Sequence, residues 1–446
     1  MTVSMWARWT LATMLSIAGA SSCRAELDLG RVGKPDASDG VLDATDPEEA
    51  VPDAAVLDTA VLDAMIQDSS RDTGRDMGPP RWPQFGYDVA QTRHNPDEAQ
   101  LTPENVSELE PFWSASFTCS LYGGPVVAND LVHVGTYCGD MVALHAGSGT
   151  VAWERRVSGS TGNLLFANGN IYYGDRNQRV LAAFDARSGR TVWTATIATG
   201  VVDRSPAIWD DVIIQSDDSG ELFAFDANTG VRRWHRSIGR HGIASSPAAS
   251  EGVFFLANLA GTLYAIDAEN GDIRWTARVG TDGFSYPAVD EATNTLFVTS
   301  TDRRLYAFSA RGCGQSACEP IWWGALEHAG GDKGVAIGDG RVYVGAGQVL
   351  HAFDTHGCGQ QQCSPVWRSP FGDRIRTAPA LANGLLYFGT DENILYAVDA
   401  RDGSVRWSYF TGGSLHQFQS AVSVVGGVIY AAPTFSFKVQ TFHRPE

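Results

Sequence analysis

Long apolar runs are scarce in this 446-residue chain: beyond its first two dozen residues, no stretch has the length a membrane-spanning helix needs. Lysine is nearly missing and the formal net charge is −18, which excludes the basic footprint of a nucleic-acid binder. There is no Cys-Cys dipeptide, no Cys-x-x-Cys, no His-x-x-x-His and no His-Glu-x-x-His, so a vicinal-cysteine clamp, a thiol redox motif and a zinc protease are without support. Long helical periodicity is also lacking. What remains from residue 81 onward is rich in Gly, Val and aromatics, the composition of short strands and turns.

The two ends of the N-terminal region read differently. Residues 1–22 hold one positive side chain, Arg8, then an apolar run over 11–20 and small residues up to Cys23, the layout of a secretion signal. The small residues before Cys23 resemble a bacterial lipobox, which would make Cys23 the lipidated N-terminus; Ala18-Gly19-Ala20 offers ordinary signal peptidase the alternative. Residues 24–80 carry 14 Asp and Glu against 5 Lys and Arg and no aromatic side chain, with VLDA, VLDT and VLDA recurring at Val41, Val56 and Val61. Such a segment buries too little apolar surface to offset its chain entropy, and 23–80 is expected to be an extended, self-repelling tether. Asp36, Asp39 and Gly40 lack the further ligands of a calcium loop.

The globular part, 81–446, is organised by a repeat. LFAFDANTG from Leu222 precedes Trp234, and LYAIDAENG, LYAVDARDG and LAAFDARSG from Leu263, Leu395 and Leu181 precede Trp275, Trp407 and Trp193. Each unit reads as four short strands, A to D, with an Asp opening the C–D turn and the Trp on D. The unit tryptophans stand at 113, 153, 193, 234, 275, 322, 367 and 407, a spacing of 40 to 47 residues that marks the blades of a β-propeller. Trp113 has no strands A to C before it, and the chain after Trp407 supplies three strands without a closing Trp. The N-terminal strand therefore completes a last blade, making an all-β, eight-bladed propeller with no open seam.

The unit LYAxDAxxGxxxW, its Ser-Pro-Ala lead-in and the opening Trp82-Pro83-Gln84-Phe85-Gly86-Tyr87-Asp88 resemble the pyrroloquinoline-quinone-type propeller family over nearly all of 82–446. With the lipoprotein-like signal, the chain is similar to the propeller lipoprotein subfamily of the outer-membrane barrel-assembly machinery. The resemblance implies a non-enzymatic, exported interaction or assembly scaffold, monomeric, anchored in the bacterial cell envelope by lipid alone and contacting envelope proteins; soluble periplasmic or secreted protein is the other location. The alternative is a quinone-dependent dehydrogenase, or a protein binding a small ligand or polysaccharide in the axial funnel. Quinoproteins hold the quinone with adjacent cysteines, a Trp platform and calcium; this chain lacks the cysteine pair and is shorter, so neither cofactor nor catalytic residue nor metal is expected. His145, His351 and His356 lie in or beside C strands and turns, and His235 and His241 are placed between blades.

Geometry puts any ligand at the channel mouth, rimmed by the residues leading into the inner A strands: Tyr122, Arg204, Ser245, Tyr286, Lys333, Arg376 and Gln419. These cations and aromatics could draw an anionic partner; the plainer expectation is solvated loop residues paired with Asp203, Asp332 and Asp373. Six cysteines besides Cys23 complete the inventory. GCGQSAC and GCGQQQC lengthen the C–D turns of blades 5 and 6 by five residues each, so Cys313 with Cys318, and Cys358 with Cys363, read as local disulfides rather than a shared zinc site. Cys119 and Cys138 fall on the mouth face of blade 1, a third pair.

Overall fold

The computed structural model describes residues 81–445 apart from 160–162, 198–203, 240, 244, 281–285, 330–333, 413–417, 419 and 434–436. The secretion signal, Cys23, the tether, Lys333 and Gln419 lie outside the described residues. Eight sheets form the blades, each with four antiparallel strands A-B-C-D that follow chain order in blades 1 to 7; three of the sheets carry a fifth, parallel strand. Blade 3 is representative: Ala207–Trp209, Val212–Ser216, Glu221–Asp226 and Arg232–Ser237. The B and C strands are buried on both faces because each blade is sandwiched between two others, whereas D alternates exposed and half-buried positions at the rim. Blade 8 is closed as the spacing demands: Glu110–Ser116 pairs antiparallel with Lys438–His443, Ala115 facing Val439.

The repeated residues act between blades. Asp226 turns the chain from C to D by accepting the Asn228 and Thr229 amides at 3.1 and 2.9 Å. Gly230 follows with φ +71°, and a Cβ there would stand 2.6 Å from Cε3 of Trp193 in the preceding blade. The Trp193 indole N–H donates to the Ala227 carbonyl of that same turn at 2.8 Å. The identical clasp joins Trp113 to Ala146 (2.8 Å), Trp153 to Ala186 (2.9 Å), Trp234 to Ala268 (2.9 Å) and Trp367 to Ala400 (3.2 Å). Trp113 belongs to blade 8, so its bond to blade 1 seals the ring.

Blades 5 and 6 depart from this pattern where the cysteines are. Cys313–Cys318 and Cys358–Cys363 are disulfides with Cα separations of 5.7 and 5.6 Å. Each closes an arm that reaches back over the neighbouring blade. Ala317–Cys318 pairs in parallel with strand D of blade 4 (Ile273–Arg278), and Gln362–Cys363 with strand D of blade 5 (Trp322–Ala325). The sequence placed these disulfides within their hairpins; the cross-blade pairing is additional. Under both arms the tryptophan is reversed, since a Cβ on Gly312 or Gly357 would meet Cδ1 of Trp275 or Trp322 at 2.6 Å, on the pyrrole side. Trp322 Nε1 is buried without a hydrogen-bond partner. Strand pairing thus replaces the indole clasp at this junction.

Candidate functional site

The A strands line the propeller axis, and the axial channel between them holds residues 82–95 of the chain itself. This belt visits the blades in order. Trp82 exchanges backbone hydrogen bonds with Val127 of blade 1 at 2.8 and 2.9 Å, and the Phe166 amide of blade 2 donates to the Pro83 carbonyl at 2.7 Å. Inner-strand amides of Ala249, Val289, Ile337 and Leu381, in blades 4 to 7, donate to carbonyls of Val89, Ala90, Thr92 and Arg93 at 2.7 to 2.9 Å. His94–Asn95 then forms a fifth, innermost strand in blade 7, parallel to Ala380–Ala382. The Asn95 side chain donates to the Val424 carbonyl of blade 8 at 2.8 Å. A Cβ on Gly338 would collide with the His94 ring, which is why the inner strand of blade 6 ends in glycine.

Inside the belt stands a compact aromatic and charged cluster. Phe85 packs with Tyr286 and Ala421, and the Arg93 guanidinium lies 4.0 Å from the Phe85 ring centre while donating to the Phe85 carbonyl at 2.9 Å. Burial pushes the Arg93 pKa down to about 9, leaving the group charged at neutral pH. Asp88, half-buried, is the belt's one carboxylate. Burial raises its carboxyl to about 6, against hydrogen bonds donated by the Thr92 amide and hydroxyl.

The predicted mouth residues are not equivalent. Ser245 is buried, its hydroxyl accepting the Ala257 amide at 3.0 Å, so it secures strand B of blade 4 instead of facing the channel mouth. Tyr286 is also buried, in the cluster with Phe85 at a ring-centre distance of 6.0 Å. Tyr122 lies within strand A of blade 1, Leu121–Ala128, not ahead of it. Arg204 is half-buried beside Gln215, whose amide donates to the Arg204 carbonyl at 3.1 Å. Arg376 pairs with Asp391 at 2.5 Å, whereas Asp373 accepts the Arg374 and Glu392 amides. Cys119 and Cys138 form a disulfide with Cα atoms 6.0 Å apart, joining the lead-in of blade 1 to its B–C turn.

Among the described residues no group of three His, Cys, Asp or Glu side chains stands together as a metal site. His235 belongs to strand D of blade 3, Arg232–Ser237, and is not between blades. Two buried histidines serve the core: His351 stacks on Phe353, and His133, which belongs to no sequence motif, contacts the Ala186 carbonyl at 2.9 Å. Burial lowers the His133 pKa to about 4. The belt was missed for a physical reason. It binds through backbone groups, and its only trace in the sequence is a set of apolar and aromatic residues ahead of the first repeat.

The family whose description reads outer membrane protein assembly factor BamB matches residues 106–246, 239–313 and 318–442. The outer membrane protein assembly factor BamB of Moranella endobia is 39% identical over 98 residues, which is 22% of this chain and 25% of that protein. The dehydrogenase subunit of a quinone alcohol dehydrogenase from Gluconobacter oxydans is 27% identical over 138 residues, 27% of this chain and 18% of that one. The aligned stretches thus span a quarter or less of these relatives' lengths. The crystal structure of BamB from Moraxella catarrhalis superposes with a TM-score of 0.60 at 18% identity, covering 75% of this chain and 97% of that one. A quinohemoprotein alcohol dehydrogenase from Pseudomonas putida HK5 gives 0.68 at 14%, covering 84% and 82%. At these identities the solved structures share the fold alone.

Proposed function

This chain belongs to the family described as outer membrane protein assembly factor BamB, and on that footing we propose that it is a non-enzymatic assembly or interaction scaffold of the bacterial cell envelope. The observation that carries the reading is the belt. Residues 82–95 run along the inner strands around the axis, with Phe85 and Arg93 buried at the centre, where an axial cofactor would need room. Two observations support a reading without a quinone: residues 82–95 occupy the axis, and among the described residues no group of three His, Cys, Asp or Glu side chains stands together. Partners would instead meet the rim strands and turns. In this reading residues 1–22 direct export, Cys23 carries the lipid, 23–80 is the spacer and 81–446 is the monomeric working domain.

Crosslinking and mass spectrometry in intact envelopes test the scaffold directly. The expected result is a small set of envelope proteins crosslinked to rim strands and turns, with no quinone absorbance and no alcohol oxidation after addition of pyrroloquinoline quinone and calcium. A bound chromophore or substrate-dependent dye reduction would overturn it. Fatty-acid labelling of the chain, abolished by Cys23→Ser, tests the anchor; labelling that survives the substitution, or none at all, sinks that part.

A further inference from the structure

Trp275 of blade 4 borders a cleft. It lies between blades 4 and 5 on the face of the A–B and C–D turns and measures about 90 Å³. Its floor is apolar: Val253, Phe255, Trp275 and Ala310, all buried. Its rim is polar and comes from both blades, with Glu251 and Arg274 from blade 4 and Asn294 and Arg311 from blade 5. Arg311 grips Glu251 with two hydrogen bonds of 2.6 and 2.9 Å across the opening, and Arg274 is held to Asp267 at 2.8 Å.

We propose that this cleft is a saccharide subsite that takes the acetamido group of an N-acetylhexosamine unit. The size suits one compact group, far below the several hundred cubic ångströms of a pocket that encloses a whole ligand. An acetamido group presents a methyl to the Trp275 and Phe255 floor and an amide to the rim. The Asn294 carboxamide carries both a donor and an acceptor, the complement of that amide. Arg311 and Glu251 give the adjoining hydroxyls a fixed donor and a fixed acceptor at the opening.

An extended peptide is the less suitable occupant. It would hold on by adding to the outer edge of blade 4, and that edge already bears this chain's own strand: Thr276 faces Ala317, and the Thr276 amide donates to the Ser316 carbonyl at 2.9 Å.

Saturation-transfer NMR on the full chain, with di-N-acetylchitobiose, cellobiose and N-acetyl-alanine methylamide as probes, decides the matter. Saturation should be strongest on the acetyl methyl of di-N-acetylchitobiose and absent for cellobiose. Asn294→Gly suits the left-handed backbone at that position, φ +53°, so it removes the carboxamide without backbone strain. It should weaken binding about fivefold, the worth of a hydrogen bond. Arg311→Ala should weaken it in the same direction. Equal saturation of cellobiose, stronger saturation of the acetylated peptide, or affinity unchanged in both variants would overturn the assignment.

Discussion

Trp193 donates its indole N–H to the carbonyl of Ala227, one blade further on, at 2.8 Å. The bond is made at the point where the Ala227 turn also presents Gly230 to the ring, so one side chain fixes both the distance and the rotation between blades 2 and 3. Among the described residues five indoles clasp the next blade's turn in this way, including that of Trp113 across the closure, and Trp407 donates to the Leu109 carbonyl ahead of the N-terminal strand at 3.2 Å.

Removing a clasp should therefore be costly. We expect Trp193→Ala to destabilise the propeller by about 3–5 kcal/mol, as for other buried aromatic truncations. Trp193→Phe, which keeps most of the packing, should cost nearer the ~1 kcal/mol of the lost hydrogen bond. Urea titrations of the two variants measure this, and a Trp193→Phe loss near zero would show that packing alone matters.

The glycine beneath the indole gives a sharper comparison. Gly230 and Gly169 have nearly the same backbone, φ +71° and +74°, yet a Cβ on Gly230 would stand 2.6 Å from Trp193 whereas one on Gly169 meets nothing within 4 Å. Gly169→Ala should cost only the left-handed strain, about 1–2 kcal/mol. Gly230→Ala should cost about 1–3 kcal/mol more for overpacking. Indistinguishable melting midpoints would refute the clasp geometry.

Each arm should act on its own junction. Replacing Cys358 and Cys363 together by serine removes a short loop closure worth about 2 kcal/mol in the chain-entropy account. The Trp323 amide, which donates to Gln361 at 2.8 Å, should then exchange faster with solvent, while the Thr276 amide, held by the other arm at 2.9 Å, should not change. Hydrogen exchange read by mass spectrometry or NMR distinguishes this from a global loss of stability.

The belt should leave a pH signature. Burial raises the Asp88 carboxyl from 3.8 to about 6, so between those values the folded chain binds the proton that the unfolded chain has lost. Asp88 therefore contributes stability that is full below about pH 4 and lost as pH rises through 6. At about 1.4 kcal/mol per pKa unit the swing is about 3 kcal/mol. Asp88→Asn should remove this component, so the stability difference between variant and parent should shift in the variant's favour from pH 4.5 to pH 7. A difference that stays flat across that range would place Asp88 in a solvated setting.

Much of this architecture was legible because it is periodic. The spacing of the tryptophans set the blade count, the orphan strand at Trp113 and the unclosed strands after Trp407 set the closure, and two lengthened turns set the cysteine pairs. The site was less legible: Ser245 and Tyr286 lie three and two residues before their inner strands, as their positions indicate, but their burial follows from neighbours brought in by the fold. Sequence alone determined the repeated unit, because side-chain patterning records which strand faces are buried. Only the tertiary structure decided that residues 82–95 encircle the axis, that two disulfide arms pair with the blade behind them and that two indoles reverse. Those arrangements rest on backbone hydrogen bonds and on single contacts between distant residues, which leave no period and no composition to read.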